Sequence, residues 1–319
     1  MKETPQTFPK EFIERMNALY GTLAAAEVLK VLEQGRPTTF RPNTLKTDFQ
    51  TVKNELEAAG FELEVVEWLQ AFVLKNRGLR DLEEQPLYQS GSLYVQGLSS
   101  MIPPVILDPH PSDSVLDVAA APGSKTTQMA AMMQNQGMIL ANDTSTVRMY
   151  KLRANLEKLG VTCVQTQRGL GEMIWKRFPE VFEKTLVDVP CGMEGRFNLT
   201  KPKTFQNWSV KKIKELAQRQ KSLLRSAISA TQLGGTIVYS TCTLAPEENE
   251  GVIDWVLGQS KGAVILEEVI LPDGISSEPI LKWNDKEYSP EVAKTKRILP
   301  SSRYEGFFVA KLKKVRSTV

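Results

Sequence analysis

The chain has 319 residues, 41% hydrophobic and 24% charged, a composition typical of a globular protein with one large or two smaller domains. Its 40 basic and 37 acidic residues leave a net charge of only +3, so a nucleic-acid partner would need a local basic patch. No stretch approaches the roughly 20 apolar residues of a membrane span, and three scattered cysteines exclude a disulfide framework and favour a reducing cytoplasm.

Residues 1–105 are predicted to form a small N-terminal α+β domain. The hydrophobic pattern indicates, in chain order, a helix over 9–35, a strand over 38–46, a helix over 48–60, and strands over 61–66 and 71–76. Five basic residues fall close to the ends of these strands: Arg41, Lys46, Lys75, Arg77 and Arg80. They form either a solvated charged rim or a patch that contacts nucleic-acid phosphates, and both interpretations stay open at this point.

Residues 106–319 are predicted to form a larger domain of the α/β class. Short apolar runs alternate with helical segments, and the runs lie at 114–119, 137–143, 161–167, 184–190 and 235–242. This alternation predicts right-handed crossovers and a doubly wound, mostly parallel sheet with helices on both faces. A sixth run, 306–314, has no following helix, so we expect it to join the sheet as an antiparallel edge strand.

The first strand of the larger domain runs into a turn of small residues, "LDVAAAPGSKT" at 116–126. Small residues let a ligand approach the backbone, and the following helix offers unpaired N–H groups at the sheet edge where α/β proteins bind ligands. The turn matches neither the dinucleotide fingerprint nor the Walker motif. Asp143 ends the second strand, where a carboxylate can accept hydrogen bonds from ribose hydroxyls. A nucleoside cofactor without a phosphate cradle suggests S-adenosylmethionine, with packing and helix capping as the alternative.

Two of the three cysteines follow predicted strands. Asp188 and Cys191 end the fourth strand, and Cys242 ends the fifth. If these strands are neighbours, both thiols face the crevice that holds the small-residue turn. Each cysteine alone could simply close a turn, but two thiols beside an aspartate and a cofactor turn favour chemistry. Cys163 is predicted to be a buried strand residue.

The single histidine restricts the possible chemistry. His110 lies between two prolines and is expected on a surface loop, so a His-dependent nucleophile is improbable in this chain. The cysteines have no ligand-like spacing. No metal site is therefore predicted.

Three motifs together, "LDVAAAPGSKT", "DVPCGMEG" and "YSTCTLAPEENE", resemble the Nop/Sun family of RNA cytosine-5 methyltransferases. Further matches are "FRPNTLK", "YVQGLSSMIPP", "AND" followed by Arg148, and "ILPSSRYEGFFVAKL", so the resemblance covers about residues 38–312. It implies a Rossmann-like fold, S-adenosylmethionine as cofactor, and rRNA or tRNA as substrate, with the N-terminal domain helping to hold the RNA.

The resemblance also implies roles for individual residues. Cys242 would be the nucleophile, Cys191 would assist it, and Asp188 and Lys125 would complete the catalytic group. The residues implied to contact S-adenosylmethionine are Ala119, Ala120, Ala121, Pro122, Gly123, Ser124, Lys125, Asp143, Arg148 and Asp188.

Cytosine C5 methylation explains why such residues are needed. C5 is a poor nucleophile until a thiolate adds to C6, and cysteine suits this step because it is readily ionised and readily expelled. Lys125 or the cationic sulfonium is expected to favour the thiolate, and Asp188 can bond the N3/N4 edge of cytosine. The target base must be single-stranded or flipped out of a helix. The basic tracts 201–208 and 211–221 are expected beside the crevice.

Two positions depart from the family pattern, and other functions remain alternatives. Gly192 stands where the family usually has Ser or Thr, and Gly169 stands where it often has an acid on the adenine side. An exocyclic-amine methyltransferase, a non-catalytic RNA-binding factor and a small-molecule methyltransferase are the competing classes. The second cysteine argues against the first two, and the basic N-terminal domain argues against the third. We expect a monomer with no membrane partner.

Overall fold

The structure is a computed structural model that describes residues 7–318, so residues 1–6 and Val319, at the outer ends of the two predicted domains, lie outside it. The N-terminal elements are α1 (Lys10–Glu33), β1 (Thr39–Pro42), α2 (Phe49–Ala58), β2 (Leu63–Val66), β3 (Ala71–Leu74), α3 (Leu79–Glu83), α4 (Pro86–Gln89) and β4 (Leu93–Val95). The predicted helices and strands of this region are confirmed. The strand β4 was not predicted, because three residues are too few for a periodic pattern.

The first four strands form an antiparallel sheet in the order β2-β3-β1-β4. Helix α2 begins after Asp48, whose side chain accepts a hydrogen bond from the Thr51 N–H. Its buried face, Val52 and Leu56, belongs to one hydrophobic core with the sheet residue Phe72. This packing makes the N-terminal sheet a unit with its own core.

Helix α1 packs away from that core. Phe12 and Met16 are fully buried in a cluster with Phe197 and Phe205, which follow Cys191 in the chain. The helix is also interrupted at Gly21, where φ is +76°, a conformation that favours glycine. The first helix therefore buries its apolar face against the larger domain.

The larger domain alternates strands and helices as predicted. Its elements are α5 (Leu98–Leu107), β5 (Ser114–Asp117), α6 (Ser124–Met132), β6 (Met138–Asp143), α7 (Thr146–Leu159), β7 (Val164–Arg168), β8 (Phe182–Asp188), α8 (Val210–Ala230), β9 (Thr231–Thr241), α9 (Glu250–Ser260), β10 (Val264–Glu267), β11 (Lys282–Trp283), β12 (Lys286–Glu287), β13 (Lys296–Ile298) and β14 (Phe307–Lys314). Helix α5 spans the predicted domain boundary and packs against α6, β8 and β9. The division at residue 105 stays a prediction.

The central sheet has the order β10-β14-β9-β8-β5-β6-β7, with β13 paired to β14. The five strands from β9 to β7 are parallel, and helices cover both faces. The chain runs from β5 outward to β7 and then returns to the other side of β5 with β8 and β9. Ligands of such sheets bind at the carboxyl ends of the strands where the order reverses, which here are β5 and β8.

Two details of the sheet differ from the prediction. Strand β14 is antiparallel as expected, but it is not an edge strand, because β10 pairs with its outer side. The four residues of β10 were too short a run to be recognised. Cys163 was predicted inside a strand and buried, but it lies just before β7 and is only partly buried.

No helix within residues 7–318 combines the length and apolar character needed to cross a membrane.

Candidate active site

A cavity of about 560 Å³ opens at the carboxyl ends of β5, β8 and β9. Most of the site residues named from the sequence line it: Ala119, Ala120, Ala121, Pro122, Ser124, Lys125, Arg148, Asp188, Cys191 and Cys242. Gly123 and Asp143 lie immediately behind this wall. The predicted site residues are therefore brought together at one place.

The turn after β5 is shaped by Gly123, which has φ +105° and precedes the first residue of α6. A Cβ atom there would lie 2.7 Å from a methyl group of Leu152, so both the backbone angle and the packing require glycine. Helix α6 therefore begins at the cavity, and its first residues, Ser124 and Lys125, form part of the wall.

Asp143 is buried behind the turn and already has partners. Its carboxylate accepts hydrogen bonds from the N–H groups of Ala121, at 3.3 Å, and Ser145, at 2.9 Å. It also pairs with the Arg148 guanidinium at 3.0 Å, and Arg148 donates to the Ala121 carbonyl. Arg148, rather than Asp143, forms the surface that faces the cavity here.

Asp117 at the end of β5 is a second buried carboxyl group beside the cavity. It accepts a hydrogen bond from the Thr126 hydroxyl at 2.7 Å. Burial raises its pKa to about 7, and the negative charge of Asp188 acts in the same direction. Asp117 is thus partly protonated near neutral pH.

Asp188 is held by two partners on opposite oxygens. Lys125 donates to one oxygen at 2.7 Å and also donates to the Ser100 hydroxyl, at 2.9 Å. The Ser240 hydroxyl donates to the other oxygen at 2.8 Å. Each carboxylate oxygen keeps a free lone pair, so Asp188 can still accept a hydrogen bond from a ligand in the cavity. The contacts of Lys125 are with Asp188 and Ser100, and its predicted effect on a thiol stays a prediction.

The two thiols meet in this cavity. The Sγ atoms of Cys191 and Cys242 are 3.2 Å apart, and the Cys242 N–H donates to the Cys191 sulfur at 3.3 Å. The pKa of Cys191 is raised well above its ordinary value, first by the hydrogen bond with Cys242 and then by burial. Cys191 therefore stays protonated and can donate its S–H to the sulfur of Cys242.

Two buried glutamates hold the thiol loops, and each glutamate belongs to the opposite loop. Glu248, beyond Cys242, accepts the N–H of Gly192 at 3.0 and 3.2 Å. Glu194, beyond Cys191, accepts the Thr243 hydroxyl at 3.0 Å and the Leu244 N–H at 3.1 Å. Both side chains are fully buried. This exchange sets the position of one loop relative to the other.

Gln220 of α8 extends the network around Cys191. Its Nε2 atom donates to the Pro190 carbonyl at 2.9 Å and to Glu248 at 2.6 Å. Burial, followed by the charge of Glu194, raises the pKa of Glu248 to about 8. A Cβ atom at Gly192 would lie 2.7 Å from a Glu248 oxygen, so a larger residue there would require the end of the Glu248 side chain to shift. The departure from the family pattern at Gly192 thus accompanies a close approach of Glu248.

At the other departure, the backbone of Gly169 is held by one backbone group and one side chain. Its N–H donates to the Asp143 carbonyl, and its own carbonyl accepts the Asn142 amide at 3.1 Å. A Cβ atom at this position would lie 3.4 Å from the Asn142 amide oxygen and 3.6 Å from the Gln167 amide nitrogen.

Several residues of the cavity wall were not predicted as site residues. They come from the segment around β4 and α5, from the loop after Cys191, and from the segment before β14: Tyr94, Gln96, Gly97, Ser100, Met193, Arg196 and Glu305. Arg196 and Glu305 form an ion pair at 3.1 Å that joins two of these segments. The stretches "YVQGLSSMIPP" and "ILPSSRYEGFFVAKL" already resembled the family, and that signal could have marked them.

The predicted basic patch divides into buried and exposed parts. Arg41 is buried, stacks on Tyr94 at 5.3 Å and donates to Gln96 and Thr127, so neither the solvated rim nor a phosphate contact at the surface holds for it. Lys46 is exposed but its ammonium caps two backbone carbonyls. The exposed residues Lys75, Arg77 and Arg80 are still candidates. His110 is exposed on a loop, as expected.

Comparison with known proteins agrees with this geometry. Residues 104–313 match the family described as 16S rRNA methyltransferase RsmB/F, and residues 8–97 match the N-terminal domain of 16S rRNA methyltransferase RsmF. A tRNA (cytosine(49)-C(5))-methyltransferase of Pyrococcus abyssi is 38% identical over 318 residues, which are 99% of each chain. Ribosomal RNA small subunit methyltransferase F of Cronobacter sakazakii is 35% identical over 97% of this chain and 64% of that protein.

Solved structures give the same result for the fold. A methyltransferase homologue from Pyrococcus horikoshii superposes with a TM-score of 0.84 at 33% identity, over 96% of this chain and 95% of that one. The fold and the cavity define a methyltransferase of the Rossmann-like class, which confirms the predicted fold. Within that class, the chain belongs to the RsmB/F (Nop/Sun) family of S-adenosylmethionine-dependent RNA cytosine-5 methyltransferases.

Proposed function

We propose that this protein methylates C5 of a cytosine in rRNA or tRNA through a covalent bond between Cys242 and C6 of the base. The observation that carries the proposal is the pair of thiols 3.2 Å apart in one cavity with Asp188 and the small-residue turn. An exocyclic-amine methyltransferase has no use for such a pair. A reducing cytoplasm would keep both sulfurs available, and both are free cysteines here.

The covalent step assigns different tasks to the two thiols. The Cys242 thiolate bonds to C6, and the electrons of the 5,6 double bond make C5 nucleophilic, so that C5 takes the methyl group. Loss of the C5 proton to water then restores the double bond and expels the Cys242 sulfur as a thiolate. Cys191 stays protonated, and its S–H stabilises that leaving thiolate by hydrogen bonding. Asp188 accepts a hydrogen bond from the cytosine 4-amino group, which disfavours uracil.

The cofactor assignment rests on how well the cavity suits S-adenosylmethionine. When bound, this cofactor supplies an electrophilic methyl group. The volume of about 560 Å³ lies in the range of small-molecule sites. The turn from Ala119 to Lys125 brings backbone close to it, and the buried Asp143 offers a carboxylate for the ribose once Arg148 moves aside. The residues present therefore fit this cofactor.

The RNA class is inferred from the two kinds of relative. One relative is named as a tRNA methyltransferase and the other as a ribosomal RNA methyltransferase. The exposed Lys75, Arg77 and Arg80 of the N-terminal domain would contribute phosphate contacts. The enzyme would act as a monomer.

The experiment that tests this function transfers a labelled methyl group. The purified protein is incubated with methyl-labelled S-adenosylmethionine and transcripts of tRNA and 16S rRNA, and modified cytosines are located by bisulfite sequencing. We expect label in RNA at bisulfite-resistant cytosines, none in DNA of the same sequence, and full activity in the control Cys163→Ala. Label on the exocyclic amine, equal labelling of DNA, or no label in either RNA would contradict the proposal.

A further inference from the structure

A second cavity, of about 210 Å³, lies on the other side of the Cys191 loop. Cys191 and Met193 line both this second cavity and the cavity described above. Met193 is 42% exposed and belongs to the walls of both cavities, so it lies at the surface where they adjoin. A polymer whose target base enters the first cavity would cross Met193 to reach the second.

The second cavity combines an apolar wall with a basic rim. Its wall includes Trp208, Ile213 and Leu216, and its rim carries Lys203 and Lys212. Its volume is below the ~300–1,000 Å³ of small-molecule sites, which suits one unit of a polymer better than a free ligand.

The electrostatic surroundings favour an anionic chain. Residues 201–214 contain five lysines and no acidic residue. Four of these, Lys201, Lys203, Lys211 and Lys214, have no ion pair with a carboxylate in the part of the chain that the structure describes. Only Lys212 is paired, with Glu215 at 3.5 Å on an exposed surface where such pairs are weak.

The lysine segment is fixed relative to the thiols. The Trp208 Nε1 atom donates to Glu194 at 2.8 Å, and Glu194 also holds the loop that follows Cys242. Phe205 is buried against Phe8 of the N-terminal region, with ring centroids 5.2 Å apart. The segment that carries Lys203 and Lys212 is therefore anchored to the loops of the two cysteines, as a site for a neighbouring nucleotide requires.

We propose that the second cavity binds the RNA nucleotide adjacent to the target cytosine, with its base against Trp208 and its phosphate at Lys203 and Lys212. The inference rests on the proposed function, because it takes the first cavity as the place of the flipped cytosine. Base contact with an aromatic side chain and a basic groove along the backbone are how single-stranded nucleic acids are held.

The test uses matched lysine variants and chemically altered RNA. Lys203→Gln and Lys212→Gln are compared with Lys261→Gln, which removes an exposed lysine at the far end of α9, roughly 16 Å of helix away from the Cys242 loop. The probe is a short single-stranded RNA with one cytosine, in which single linkages are replaced in turn by uncharged methylphosphonates. Binding is measured by fluorescence anisotropy, and methylation gives KM and kcat.

We expect each cavity variant to raise the KM for RNA with kcat unchanged, and to lower the salt slope of binding by about 0.7. The affinity ratio between wild type and variant should then shrink about 2.6-fold between 50 and 200 mM salt. One linkage next to the cytosine should weaken wild-type binding when uncharged, weaken it less in Lys203→Gln or Lys212→Gln, and have no further effect when both lysines are replaced.

The site is wrong if both cavity variants behave like Lys261→Gln, or if every linkage has the same effect in variants as in wild type. Binding by anisotropy does not depend on catalysis. A wild-type protein that binds the probe in this linkage-specific way but methylates no RNA would therefore contradict the proposed function and not the nucleotide site.

Discussion

Removal of the Glu248 carboxyl group should both destabilise the protein and displace Cys191. In Glu248→Ala, the Gly192 N–H and one bond of Gln220 Nε2 lose a buried acceptor. Each unsatisfied buried group costs about 1–3 kcal/mol, so the free energy of unfolding should fall by roughly 2–6 kcal/mol. Typical domains have only about 5–15 kcal/mol, which makes this a large loss.

Glu248→Gln removes the titratable carboxyl group but keeps the size of the side chain. The pKa of Glu248 is raised by burial from 4.5 to about 8, so the folded state binds its proton more tightly than the unfolded state does. This contribution to stability is complete below about pH 4.5 and is lost as the pH rises to about 8. At about 1.4 kcal/mol per pH unit, the ceiling of this loss is on the order of 4–5 kcal/mol. In Glu248→Gln, the free energy of unfolding should fall less as the pH rises.

Urea unfolding between pH 5 and 8 measures this slope, and kcat measures the placement of Cys191. Glu247→Gln is the matched control: burial raises the pKa of Glu247, but Arg15, Trp283 and a backbone hydrogen bond together lower it more, so its net direction is opposite. Glu247→Gln should leave the loss of stability between pH 5 and 8 as it is in the wild type. If Glu248→Gln keeps the wild-type slope, the carboxyl group does not titrate there. If Glu248→Ala keeps wild-type kcat, the Glu248 carboxyl group is not needed to place the loop that carries Cys191.

The remaining predictions concern the cofactor side and the RNA side. Burial raises the pKa of Asp117 from 3.8 to about 7, so stability should fall as the pH rises through that interval, and urea unfolding of Asp117→Asn should show a smaller fall. Asp143→Ala should weaken S-adenosylmethionine binding about 10- to 100-fold by calorimetry, from the loss of a charged hydrogen bond worth about 1.5–3 kcal/mol; unchanged affinity in a folded variant would remove Asp143 from the site. Neutralising Lys75 and Arg77 should lower the salt slope of RNA binding by about 0.7 each, whereas an unchanged slope would assign them to the solvated rim.

The alternation of strands and helices was sufficient to predict the sheet and the place of the site. Because β8 and β9 are consecutive and parallel, Asp188 pairs with Ser240 across the ladder, and the loops that carry Cys191 and Cys242 necessarily meet. The same pattern could not reveal β10, because a four-residue strand lacks a measurable period.

Burial and contacts between distant segments could not be obtained from local patterns. Arg41 was grouped with the basic residues near strand ends, yet Tyr94 of the neighbouring strand β4 and Thr127 of α6 cover it in the fold. Arg148 was predicted to contact the cofactor, and its pairing with Asp143 depends on how α7 lies beside the turn. The exchange of Glu194 and Glu248 between loops likewise joins residues about fifty positions apart.

The most direct test of the central claim is the trapping of a covalent RNA complex on denaturing gels with labelled substrate. Cys242→Ala should form no complex and transfer no methyl group, because the proposed nucleophile is gone and burial keeps the Cys191 thiol protonated. Cys191→Ala should accumulate a complex and turn over poorly, because the leaving thiolate loses its hydrogen-bond donor. A complex with Cys242→Ala but not with Cys191→Ala would reverse the two roles, and normal methylation by both variants would contradict the covalent mechanism itself.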